Sequence, residues 1–154
     1  MATIGDSVPD VEAYIAGPEG PQKVQTGELL GSGKVVLFAV PGAYTPGCSK
    51  VHLPGFVQQA DELTSKGVDK IVCVAVNDAF VMDAWAKDQG AEGITMLADG
   101  NADFTKAMDL VMDGSGFGLG TRSKRYAAII EDGVIKSLDV DDSGIEVSSC
   151  SAVL

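Results

Sequence analysis

The residues with chemical reach in this 154-residue chain are few: three cysteines, Cys48, Cys73 and Cys150, and a single histidine, His52. An odd number of widely spaced cysteines suits neither a secreted disulfide scaffold nor a tetrahedral zinc site. That leaves thiol redox or nucleophilic chemistry, or burial as small hydrophobes. The surroundings of Cys48 favour chemistry. It ends the run Pro41-Gly42-Ala43-Tyr44-Thr45-Pro46-Gly47, which lies between an apolar, β-branched stretch and the start of a helical pattern. Such a turn presents its residues at the carboxyl edge of a sheet, where ligands bind in open α/β folds.

A thiol with a pKa near 8.5 is only about 3% thiolate at neutral pH and is a poor resting nucleophile. Lowering that value to about 6 requires roughly 3.4 kcal/mol. A helix N-terminus supplies about 0.3 to 1 kcal/mol, or up to ~2 in a partly buried geometry, and falls short. A cation within about 4 Å can contribute up to roughly 4 kcal/mol at an effective dielectric of ~20, before desolvation. Arg122, Lys124 and Arg125 are the candidates. Arg125 is preferred, because its planar fork can hold a thiolate and a second acceptor together and is never deprotonated. His52, four residues after Cys48, invites a Cys-His pair, but a surface or packing histidine is the favoured reading, and one Cys with one His makes no zinc site.

The elements that must position these groups follow from hydrophobic pattern. Lys34 to Val40 reads as a strand buried on both faces and stopped by Pro41-Gly42. A helix is expected from about Pro46 to Ser65, kinked by Pro54. Lys70 to Val76 forms a second strand, and Asn77 or Asp78 caps a helix from about Ala79 to Gln89 before Gly90. A strand near Ile94 to Ala98, a helix from about Ala102 to Leu110 and a loop from Gly114 to Gly120 come next. Asp132-Gly133 joins Arg125 to Glu131 and Val134 to Val140 as an antiparallel hairpin. This order matches an α/β, thioredoxin-like sandwich, a central mixed sheet flanked by helices, preceded by an irregular arm of about 33 residues and forming one domain over residues 1–154.

Composition narrows the partners. A net charge of −11 repels a phosphate backbone, so nucleic acid is not expected. The longest apolar runs fall far short of the roughly 20 residues a membrane span needs, so no membrane is expected either. The N-terminus carries neither a signal-peptide pattern nor presequence arginines, which points to the cytoplasm unless an organellar presequence, mitochondrial or other, has been removed.

The segment from Pro41 to Ser49 resembles the peroxiredoxin signature P-x-x-x-T/S-x-x-C, and Pro41, Thr45, Cys48 and Arg125 are similar to that family's active site. Extension through Lys50-Val51-His52-Leu53-Pro54-Gly55-Phe56-Val57 and Val76-Asn77-Asp78-Ala79-Phe80-Val81 resembles the peroxiredoxin V subfamily, and the likeness runs over nearly the whole chain. The resemblance implies a thiol-dependent peroxidase acting on hydrogen peroxide, alkyl hydroperoxides and peroxynitrite without metal or organic cofactor. In it Cys48 is the peroxidatic cysteine and Thr45 bonds thiolate and peroxide. Pro41 shields the sulfur, Arg125 polarises the peroxide, and Gly47 lines the substrate site. It further implies a homodimer and recycling by thioredoxin, or by glutaredoxin or glutathione.

Resolution of the Cys48 sulfenic acid has two candidates by resemblance. Cys150 matches the C-terminal resolving position of animal members, whereas Cys73 has the 25-residue separation found in plant type II members. Cys150 is preferred, because Cys73 reads as interior to a buried strand. Two alternatives stay open, a one-cysteine or Cys73-resolved peroxidase and a peroxide-sensing relay protein. A thioredoxin-type oxidoreductase is disfavoured by the absence of C-x-x-C.

Overall fold

The computed structural model describes residues 2–17, 19–142 and 144–153. Its centre is a seven-stranded mixed sheet of β1 (Glu12–Gly17), β2 (Gly20–Gln25), β3 (Lys34–Ala39), β4 (Lys70–Ala75), β5 (Thr95–Ala98), β8 (Arg125–Glu131) and β9 (Val134–Asp141), in the order β2-β1-β5-β4-β3-β8-β9. Strand β3 runs parallel to β4 and antiparallel to β8, which places it mid-sheet as its continuous apolar run requires.

Alternation along β3 feeds two cores. Val36 and Phe38 face one layer with Cys48, Leu53, Phe56, Leu63, Met82, Trp85 and Cys150. Val35, Leu37 and Ala39 face the other, with Leu30, Phe104 and Met108. The first layer is built by helices α2 (Leu53–Gln58), α3 (Ala60–Ser65), α4 (Ala79–Gln89) and the short α6 (Cys150–Val153). The second is built by α5 (Asp103–Met108), with Leu30 just after α1 (Thr26–Leu29).

Two expectations match to the residue at nearly every end. Asp78 caps α4 by accepting from the Val81 N–H at 2.9 Å, and Gly90 ends it in the left-handed region at φ 65°. The β8–β9 turn places Asp132 at φ 50° and Gly133 at φ 81°, the paired positive angles of a tight hairpin.

Two expectations need correction. The N-terminal arm is not irregular: β1 and β2 form an antiparallel hairpin on the edge of the sheet, followed by α1. Its strands are half-exposed and carry Pro21 on the outermost strand, where no ladder bond is lost, so the pattern looks like loop. The stretch from Gly114 to Gly120 is loop as expected, with one 3-10 turn at Ser115–Phe117, and joins the strands of a second, two-stranded sheet, β6 (Val111–Asp113) and β7 (Thr121–Ser123). The helix expected over Pro46 to Ser65 is interrupted twice. A π-helical segment occupies Cys48–His52, and Gln59 breaks the helix at φ −106° and ψ 12°. Pro54 has no N–H for the Lys50 carbonyl, so the widened turn falls just upstream of it.

Candidate active site

Cys48 opens the π-helical segment and is fully buried, below the carboxyl end of β3. The loop before it is held from several sides. The Ala43 N–H donates to Asn77 Oδ1 at 2.9 Å, and the Ser49 N–H donates to the Thr45 carbonyl at 2.9 Å. Trp85 Nε1 donates to Ser49 Oγ at 3.0 Å. Tyr44, at φ 64°, is the strained residue of the turn, and its hydroxyl donates to Asp88 at 2.7 Å. Arg122 reaches beneath the loop, Nη1 donating to the carbonyls of Val76 at 3.3 Å and Pro41 at 3.5 Å. A Cβ on Gly42 would stand 2.8 Å from that Nη1, so the close approach of Arg122 requires glycine there.

Of the three candidate cations, only Arg125 meets the sulfur. From the first position of β8, its Nη2 donates to Cys48 Sγ at 3.2 Å. Arg122 is a clamp on the loop, and Lys124 lines the cleft outside. That cleft, about 260 Å³, is walled by Pro41, Met112, Lys124, Arg125, Asp141, Asp142 and Gly144. It reaches the guanidinium and Pro41, with the sulfur buried behind them. Gly47 faces Arg125, and a Cβ on it would lie 3.4 Å from Nη2.

Thr45 is placed at the site, but its hydroxyl donates to the Gly42 carbonyl at 2.7 Å. The expected contact with the sulfur is replaced by a local turn bond, since a hydroxyl before a helix readily folds back onto its own loop.

His52 takes the packing half of its expected reading: it is buried and lies at a tilt against Phe38 and Phe56. Its two nitrogens carry two different contacts. Arg125 Nη1 lies 2.9 Å from Nδ1, and the Ser148 carbonyl lies 2.8 Å from Nε2. A guanidinium can only donate and a carbonyl can only accept, so Nδ1 is the bare nitrogen and Nε2 carries the proton. Burial, assisted by the Arg125 charge against the opposing Ser148 bond, pushes the ring pKa down to about 4, keeping it neutral.

Ser148 is itself held by Asp141, which accepts from the N–H groups of Glu146, Val147 and Ser148 and from Ser148 Oγ at 2.6 Å. Burial opposes the charge on Asp141, but these bonds outweigh it and hold its carboxyl below the usual range. No motif in the sequence announced Asp141, Ser148 or Trp85. Asn77 lay in the Val76 to Val81 run, and Arg122 and His52 were weighed for other roles.

All three cysteines are free and buried. Burial, then nearby Cys48, push the Cys73 thiol well up, with Arg125 opposing. Burial, then the Glu62 charge, push Cys150 up to about 11. No cluster of three metal-ligating side chains occurs among the described residues, and no helix there is long and apolar enough to cross a membrane.

The arrangement has counterparts. A family model described as Redoxin matches residues 3–154. The chain is 46% identical over 152 residues to Peroxiredoxin-2E, chloroplastic, of Arabidopsis thaliana, covering 96% of this chain but 65% of that protein, less than two thirds of its length. It is 40% identical over 155 residues to Peroxiredoxin-2D of the same plant, covering 99% of this chain and 96% of the relative. The solved structure of reduced Prx3 in complex with H2O2 from Vibrio vulnificus superposes with a TM-score of 0.95 at 50% identity, covering 99% and 97% of the two chains.

Proposed function

We propose that this chain, which belongs to the redoxin family and within it to the peroxiredoxins, the thiol-dependent peroxidases, reduces hydrogen peroxide and alkyl hydroperoxides with Cys48 as the attacking sulfur. The observation that carries this reading is the Arg125 guanidinium 3.2 Å from Cys48 Sγ at the floor of a small cleft. The thiolate attacks one peroxide oxygen: an S–O bond forms as the O–O bond breaks. The departing oxygen takes a proton and leaves as water or alcohol, and Cys48 becomes a sulfenic acid. Arg125, donating where charge develops, stabilises that departure. Pro41 bounds the approach, Gly47 leaves room beside Nη2, and Thr45 turns its hydroxyl from Gly42 to the bound peroxide. Peroxynitrite fits the same chemistry.

Cys150 then displaces water from the sulfenic acid to form a disulfide, which thioredoxin, or glutaredoxin or glutathione, returns to two thiols. Both thiols are buried in one core cluster, and a disulfide needs their Cα atoms within about 7 Å, which local opening around Cys48 or movement of the tail would provide. One observation favours a second reading, in which Cys73 resolves. The charge of Cys48 is felt at Cys73, whereas Glu62 is the charge felt at Cys150.

Placement in the V subfamily rests on the Lys50 to Val57 and Val76 to Val81 runs, while the relatives carry peroxiredoxin-2 and Prx3 names. The single-domain reading is supported by two cores sharing one sheet. Homodimer formation follows the family resemblance. The compartment is cytoplasmic, or an organelle such as the chloroplast in which one relative resides.

The test is peroxide-dependent NADPH consumption with thioredoxin and its reductase, comparing wild type with Cys48→Ser, Cys150→Ser and Cys73→Ser. Cys48→Ser is expected to be inactive, and full activity in it would overturn the reading. Cys150→Ser is expected to consume one equivalent of peroxide and then stall, with Cys73→Ser turning over. The reverse pattern would move resolution to Cys73.

A further inference from the structure

We infer that His52 is a positioning residue with two duties, aiming the Arg125 guanidinium at Cys48 through one ring nitrogen and fastening the C-terminal segment that carries Cys150 through the other. The inference rests on Cys48 being the peroxidatic nucleophile, but its two contacts can be tested apart from turnover.

The geometry leaves little latitude. Arg125 has Nη2 on the sulfur and Nη1 on His52 Nδ1, so its fork is fixed at both ends, and among the described residues the histidine is the acceptor for Nη1. Fixing both ends of a planar group pre-orients it, so little rotamer freedom is lost when a transition state is bound. The ring is backed on one side by the stacked pair of Phe38 and Phe56, which it meets at a tilt with centroid distances of 5.1 and 5.7 Å, and its two nitrogens are held by Arg125 and Ser148.

On its far side the ring holds the Ser148 carbonyl, two residues before Cys150. The Asp141 carboxylate already gathers Glu146, Val147 and Ser148, so the His52 bond ties a formed turn to the active-site helix. Because one ring makes both contacts, whatever frees the tail loosens the guanidinium, and the coupling is reciprocal. A closed tail therefore accompanies an aimed arginine in the reduced enzyme, and release of the tail for Cys150 to move accompanies loss of that aim.

Two substitutions separate the duties. In His52→Gln the side-chain NH₂ takes the place of Nε2–H and keeps the tail bond while losing the acceptor for Arg125. In His52→Asn the amide oxygen takes the place of Nδ1 and keeps that acceptor while losing the tail bond. His52→Gln is expected to slow the single-turnover oxidation of Cys48 by hydrogen peroxide about tenfold or more, the weight of one hydrogen bond to a charged group. Trp85, bonded to Ser49, is the fluorescent reporter of that step. His52→Asn should recover part of that loss, yet expose Cys150 to alkylation in the reduced protein about tenfold faster than wild type or His52→Gln. Equal oxidation rates in the two variants would overturn the first duty, and equal Cys150 protection would overturn the second.

Should either variant fail to fold, the wild-type enzyme still decides. Its one histidine gives a single pair of ¹⁵N ring signals. The inference requires a bare Nδ1 and protonated Nε2, and the opposite tautomer would overturn it. Ser148→Ala, which removes the Ser148 Oγ bond to Asp141 without touching ring or arginine, should speed Cys150 alkylation and slow Cys48 oxidation together. Faster alkylation with unchanged oxidation would overturn the coupling. Activity retained in Cys48→Ser would remove the peroxidase reading, while the wild-type ring tautomer and the protection of Cys150 would still decide the two His52 contacts.

Discussion

Cys48 and Cys150 are both buried, both open a helical segment and both belong to the same core cluster, yet their electrostatic surroundings are opposite. Cys48 has the Arg125 guanidinium at 3.2 Å, and Cys150 has the Glu62 carboxylate as the charge it feels. Burial alone disfavours a thiolate, as Cys150 and Cys73 show. The comparison teaches that two cysteines alike in burial and in opening a helical segment are told apart by the charge placed beside each, and the proposal that Cys48 is the attacking sulfur rests on that difference.

The comparison breaks most visibly at the arginine. Arg125→Leu should lower the rate constant for Cys48 oxidation by about 10² to 10³, the cost of removing one preorganised donor from a developing charge. Arg125→Lys should recover only part, because a lysine cannot bond sulfur and His52 Nδ1 as a fork. Stopped-flow oxidation of the two variants checks this, and wild-type rates in Arg125→Leu would dissolve the contrast.

The second prediction reads the contrast directly. In the reduced enzyme at neutral pH, mass-spectrometric alkylation should modify Cys48 at least about 100-fold faster than Cys150. With the Cys150 pKa at about 11, its own rate should rise roughly tenfold per pH unit from neutrality upward, since the thiolate fraction does so below the pKa. Comparable rates for the two cysteines at pH 7 would contradict it.

The third concerns the ring between the two regions. Folded His52 has a pKa of about 4, below the value near 6.5 expected for an unfolded imidazole, so the unfolded chain takes a proton the folded chain refuses. Stability from this group is complete above about pH 6.5 and falls as pH drops towards about 4, by on the order of 3 kcal/mol in total. Urea unfolding across that window should show the decline, and His52→Gln should remove the histidine's share of it. An identical slope in the variant would show that other groups carry the effect. The smallest effect is at Glu62, where Glu62→Gln should quicken Cys150 alkylation by about twofold to threefold, as expected for one solvent-screened charge.

Much of the site was legible in the order of residues alone. The strand–turn–helix context of Cys48, the need for a cation and the choice of Arg125 follow from residue types and spacing, and the guanidinium meets the sulfur as required. The β8–β9 hairpin and α4 were legible because Asp132-Gly133, Asp78 and Gly90 impose local backbone geometry regardless of tertiary context. The edge hairpin β1–β2 was not, because its strands bury too little for an apolar alternation to show.

The sequence by itself determined the class of chemistry and the central strands and singled out Cys48 as the proposed nucleophile, since each depends on short-range pattern. Only the tertiary structure decided that Thr45 turns to Gly42, that Arg122 clamps the loop, and that His52 joins Arg125 to Ser148 across 73 and 96 residues of chain. Those contacts are directional bonds, and the ones made by Arg122 and His52 link residues far apart in sequence. Their partners are fixed by the packing of β3, β8 and the C-terminal segment, and no local periodicity records which distant donor a buried ring will face.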